Sequence, residues 1–313
     1  MLRRLALTAA VATLATLLGS ADADAGPRPR RWSRAARIDF PVTPVMSPEV
    51  RKLRAEGDEM LSRVGNPEFG RKIDAARFAA SFYKAALALD PKQPDLWFAL
   101  GIARYYGEQW QESVDAFDAL RALDPGYPRR DVGFFTAIAL AKLSKDFERI
   151  VDEYQRWLRE PEEMFAVPFS RQLGLAVSSR SQVHGNLAET FMSLGRLEEA
   201  VAHYREADTL SPGQALNLYG LAVALDRDGN GHDAARVMRR ALAIDPGMDE
   251  LERPGVFFVP PGDVYYYFAL GAEVKNNKAL AIKQWRSFLV FAPQSLYVAR
   301  AREHLAALGA GEK

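Results

Sequence analysis

The 313-residue chain contains no cysteine, and that single absence removes disulfide frameworks, thiolate zinc sites, iron–sulfur clusters, cysteine nucleophiles and an acylated lipoprotein cysteine. Histidine is scarce: His184, His203, His232 and His304 are the whole set. No two of them stand at the i, i+4 spacing of a helical metal site, so neither a metal nor another cofactor is expected. Excess charge is missing too. The 41 Lys and Arg balance 40 Asp and Glu to a formal +1, with a pI near 7.9, which leaves no basic face to hold nucleic acid. The sequence has no G-x-S-x-G elbow, P-loop or dinucleotide fingerprint, and its carboxylates are scattered along helical segments. The reading is a non-catalytic protein.

Long apolar runs are also few. Arg3 and Arg4 precede a charge-free stretch from Leu5 to Leu18, shorter than the roughly 20 residues a spanning helix needs. With small residues at Ala21, Ala23 and Ala25, residues 1–25 read as a secretory signal. Arg far outnumbers Lys, while Ala and Gly are abundant, as in GC-rich bacteria. The periplasm is the expected destination, with secretion as the lesser alternative. Residues 26–47 form a proline-bearing arm with Arg28, Arg30, Arg31, Arg34 and Arg37, expected to be irregular. It is either a solvated linker or a contact with an anionic membrane surface.

What the chain has is a period. Prolines close amphipathic runs at Pro91, Pro125, Pro212, Pro246 and Pro293, and both Pro91 to Pro125 and Pro212 to Pro246 span 34 residues. Inside HGNLAETFMSLGRLEEAVAHYREADTLSP the recurring positions are His184, Leu187, Ala188, Phe191, Ala200, Tyr204, Ala207 and Pro212. The next unit repeats them as Leu218, Leu221, Ala222, Leu225, Ala234, Met238, Ala241 and Pro246, and an earlier one supplies Trp97, Leu100, Gly101, Phe117 and Pro125. Small residues at Gly101, Ala188 and Ala222 allow the second helix of a pair close to the first, with Phe117, Tyr204 and Met238 filling the space beside them.

This pattern resembles the tetratricopeptide-repeat family over residues 48–308. The resemblance implies an all-α, right-handed α-solenoid of about six helix pairs with a C-terminal capping helix, followed by a tail at 309–313. A first unit with helices over Pro48 to Val64 and Asp74 to Leu89 is expected, interrupted by GNPEFGRK. The third unit places Arg149 or Ile150 where the second helix should be small, so looser packing is expected there. Surplus sequence falls in a connector near 162–180 and in an aromatic insert at 247–263.

The resemblance also implies a concave face lined by the first helices, which in this family holds a peptide or protein segment. The positions expected to face inward are Phe98, Phe135, Tyr219 and Phe268, with Ile102, Tyr105 and Val223 further along. They form either a ring-lined groove or intra-repeat packing. Asn186 fits one role of the carboxylate clamp found in such grooves, but Phe135 and Ala139 stand where its Lys and Asn belong. The insert carries Phe257, Phe258, Tyr265 and Tyr266, beside Tyr267 and Phe268, as a plug over a seam or a handle for a partner. DRDGNG places Asp226, Asp228, Asn230 and Gly231 like half an EF-hand, yet Val237 occupies the position of the bidentate acid, so helical-turn chemistry is the better account. The expected function is a protein-interaction scaffold of a cell-envelope complex. Glycan binding or enzymatic use of the insert is the rival, and self-association a third reading.

Overall fold

The computed structural model describes residues 45–66, 70–127, 131–159, 179–253, 256 and 258–311. The signal segment, the five arginines of the arm, most of the 162–180 connector and Phe257 lie outside these residues. Among the described residues there are thirteen α-helices and no strand.

The helices form six antiparallel pairs. They are α1 (Pro48–Gly65) with α2 (Lys72–Leu89), α3 (Pro94–Tyr106) with α4 (Trp110–Leu123), and α5 (Asp131–Lys142) with α6 (Phe147–Arg159). Then come α7 (Arg180–Ser193) with α8 (Leu197–Leu210), α9 (Ala215–Arg227) with α10 (Gly231–Ile244), and α11 (Val264–Val274) with α12 (Lys278–Phe291). A last helix, α13 (Val298–Ala307), follows.

Local chemistry sets these ends. The last described residue of every second helix stands two positions before a proline, because proline has no N–H to donate and disfavours helical backbone in the residue ahead of it. Asp90, Asp124, Ser211, Asp245 and Ala292 each take a φ between −128° and −143° while their N–H groups still close the last turn. Between the helices of a pair, three-residue turns put their middle residue in left-handed backbone, at Glu108, Gly195, Gly229 and Asn276. Gly229 of DRDGNG is therefore a turn residue.

Close approach explains the small residues. A Cβ on Gly101 would lie 2.5 Å from the Phe117 ring. In the first unit, a Cβ on Gly57 would lie 2.6 Å from Tyr83. The third unit solves the same problem differently: Ile150 is buried, Arg149 turns out to pair with Asp118, and α5 is buried at ten consecutive residues from Asp131 to Leu140. The expectation of looser packing in that unit does not match this burial.

Candidate functional site

The stripe expected to line a groove is mostly core. Phe98, Ile102, Phe135, Tyr219 and Val223 are all buried, whereas Tyr105 and Phe268 keep part of their surface. Phe98 packs 6.2 Å from Phe117 and 5.7 Å from Tyr127, between its own helix pair and the turn that follows it. Tyr219 sends its hydroxyl to the Asp245 carbonyl at 2.6 Å. Asn186, the lone clamp candidate, donates to the Tyr154 hydroxyl. For Phe98, Ile102, Phe135, Tyr219 and Val223 the expected open groove is thus corrected to intra-repeat and inter-repeat packing. The reason is coverage: α9 is buried at every residue except the partly buried Leu216, against α7, α8, α10 and α11.

The insert behaves in the same way. Tyr266 and Tyr267 are fully buried, and Phe258 and Tyr265 are partly buried, lying against Tyr267 and Phe291. Tyr266 meets Trp285 edge-on at 4.6 Å and donates to Asp226 at 2.6 Å. It plugs the seam between units, and the partner contact expected of Tyr266 is corrected accordingly.

What the sequence reading missed is a polar core under α13. Asp226 accepts from Tyr266, from Arg300 at 2.9 Å and from His304 Nε2 at 2.9 Å. His304 Nδ1 reaches Glu273 at 2.9 Å, and Glu273 also takes the Trp285 indole N–H. Burial opposes the imidazolium, but the two carboxylates outweigh it and lift its pKa to about 9. The same hydrogen bonds hold Asp226 well below the usual carboxylate range, against its own burial. Beside this, the buried Arg227 pairs with Asp263 at 2.7 Å and lies 4.5 and 4.0 Å from the rings of Tyr266 and Tyr297. Tyr297 donates to the Met192 carbonyl at 2.5 Å. Met192, Asp226 and Glu273 stand near the carboxyl ends of α7, α9 and α11, so α13 runs across three units as a strap.

Two histidines 19 residues apart also meet. His184 Nδ1 and His203 Nδ1 are 2.8 Å apart across α7 and α8, one donating to the other, and burial lowers the pKa of both, that of His184 to about 4. Among the described residues, no group of three or more His, Asp or Glu is placed to hold a metal ion.

One aromatic cluster retains surface. Tyr105 packs edge-on against Tyr106 at 5.2 Å, Trp110 at 5.3 Å and Phe135 at 4.7 Å. Tyr105, Tyr106 and Trp110 are all partly exposed. The Lys142 ammonium lies 5.9 Å from the Trp110 ring.

Comparison with known sequences agrees with the helix pairs. Tetratricopeptide-repeat family profiles match residues 75–128 and 181–214, two separate stretches of the array. The chain is a tetratricopeptide-repeat protein. A DnaJ homolog subfamily C member 7 homolog of Dictyostelium discoideum is 23% identical over 179 residues, covering 56% of this chain. The chain spans only about a third of the length of that relative, 32%. Among solved structures, residues 41 to the end of MamA from Desulfovibrio magneticus RS-1 superpose with a TM-score of 0.51 at 15% identity. That match covers 66% of this chain and 99% of the other, as does a MamA RS-1 double mutant at the same score. At such identity the likeness is one of fold. Tetratricopeptide repeats form a protein-interaction fold, and this chain is a protein–protein interaction scaffold.

Proposed function

We propose that this scaffold is a non-catalytic component of a bacterial cell-envelope complex, exported through residues 1–25, and that it holds a protein segment against the rings around Tyr105. The observation that carries the binding surface is the sorting of the aromatic stripe. Phe98, Phe135 and Tyr219 are core, and Tyr105 with Tyr106 and Trp110 keeps ring surface fixed by mutual edge contacts. Preordered aromatic surface loses little conformational freedom on binding, and such rings dominate interface energetics. Export is supported by Arg3, Arg4 and the charge-free stretch after them.

The test is a photo-crosslinking residue placed at Tyr106 in the full chain in cells, beside a control at Glu112. A discrete protein adduct at Tyr106, absent at Glu112 and lost with Tyr105→Ala and Trp110→Ala, is the expected result. Equal adducts at both positions would remove this surface from consideration. Protection of the chain from protease after the outer membrane is opened would remove the envelope.

A further inference from the structure

Helix α12 is apolar on two sides. Ala281, Trp285 and Phe288 face the core. The outward side carries Val290 and Phe291, 67% and 59% exposed, and Leu296, 65% exposed, continues the strip just past the helix. Lys283 and Arg286 lie on this same side, three and four residues apart from each other and from Val290. A shallow depression of about 390 Å³ runs along it, lined by α12 alone through Ile282, Lys283, Arg286, Val290 and Phe291. Among the described residues no second element supplies a facing wall to that depression, so it suits a broad surface better than an inserted side chain or small molecule. Apolar surface of this kind on an outward helix face calls for a cover.

Charge identifies the cover. Between Glu273 and Glu303 the chain has six cations and no acid. Arg300 is committed to Asp226 and Glu303 and Lys275 donates to the Pro246 carbonyl, while Lys278, Lys283 and Arg286 are exposed. The outward side of α4 bears Glu112, Asp115 and Asp118, but these acids have cations of their own, Asp118 pairing with Arg149 and Arg104 lying close to Glu112 and Asp115. A second copy offers no complement in its first helix, because Glu49, Glu56, Asp58 and Glu59 of α1 are cancelled by Arg51, Lys52, Arg54 and Arg63. No described helix is long and apolar enough to cross a membrane.

We infer that the outward face of α12 docks on an anionic phospholipid surface. Val290, Phe291 and Leu296 enter the boundary between headgroups and acyl chains, and Lys278, Lys283 and Arg286 meet lipid phosphates. The contact is peripheral and is separate from the Tyr105 surface.

Because the chain lacks cysteine, Val290→Cys gives a single position for an environment-sensitive fluorophore in the full chain. Its emission shifts to the blue on vesicles with about 30% phosphatidylglycerol, does not shift on pure phosphatidylcholine, and returns as salt rises toward about 0.5 M. Lys283→Glu with Arg286→Glu lowers the partition coefficient in co-sedimentation by more than about twentyfold, at roughly fivefold per cation removed from the surface, with the helical circular dichroism unchanged. Arg28→Glu, Arg30→Glu and Arg31→Glu together, which alter only the arm, leave the shift at position 290 in place. The inference is overturned by the absence of a shift on anionic vesicles or by undiminished partition of the α12 variant. It is equally overturned if the shift follows protein concentration without lipid, or follows an acidic helical peptide and not vesicles.

Discussion

His304 is the group whose protonation holds α13 in place, and its removal by pH or by mutation has a calculable cost. In the fold its imidazole lies between Asp226 and Glu273, each 2.9 Å away, with the side chain only 12% exposed. Its pKa rises from 6.5 to about 9, and at about 1.4 kcal/mol per unit the imidazolium form contributes about 3 kcal/mol. The folded value lies above the unfolded one. The contribution is therefore complete below pH 6.5, declines as pH rises, and is gone once pH passes about 9. A ten-residue helix is too short to persist on its own, so α13 should open locally when its anchor is lost. Repeat arrays unfold piecewise, which makes local hydrogen exchange a better reading than a global midpoint. Protection factors for 298–307, corrected for intrinsic rates, should fall between pH 6.5 and 9.5 by an amount equivalent to about 3 kcal/mol. In His304→Gln they should start lower by a similar amount and stay flat. Wild-type protection constant over that range, or a decline of equal size in the variant, would refute the reasoning.

Three further outcomes follow from the packing. Gly101→Ala forces a methyl to within 2.5 Å of the Phe117 ring, and urea denaturation should show a loss of about 1–3 kcal/mol despite the better helix propensity of alanine; an unchanged midpoint would contradict the close approach. Asp263→Ala strands the buried Arg227 cation and should cost about 3–5 kcal/mol, most of it recovered when Arg227→Met is added, measured by thermal denaturation of the two variants. The His184 and His203 pair works in the opposite sense from His304. Because the folded pKa of His184 is about 4, the unfolded chain binds more protons below pH 6.5 and stability declines as pH falls through that window. Partial exposure screens the effect to below about 1 kcal/mol. His184→Leu should remove this acid-side slope in denaturation curves from pH 6.5 to 4, and a slope that survives would assign it elsewhere.

The helix pairs were legible in the sequence because the information that makes them is local. A proline after each second helix, a small residue where two backbones approach, and a left-handed turn residue such as Gly229 each act within one unit, and the 34-residue spacing repeats them. That periodicity is also what the family profiles detect over 75–128 and 181–214. The site was much less legible. Phe98 and Tyr105 stand two turns apart on the same face of α3 and read alike, yet one is core and the other keeps surface.

The difference between them is decided by neighbours from other units, which no residue pattern within one repeat specifies. Asp226 stands in a half EF-hand pattern with Asp228 and Asn230 that reads better as a helical turn, and its partners arrive from Tyr266, Arg300 and His304, 40 to 78 residues later. His184 and His203 are too far apart in sequence to suggest a pair and meet only because α7 and α8 fold back on each other. Tyr297 reaches the Met192 carbonyl across 105 residues because successive units stack on one another. The sequence by itself therefore determined the unit, its helices and its small-residue contacts. Tertiary structure decided which rings are buried, where the charges pair and which face of α12 is left to water, because each of these depends on how the units add up.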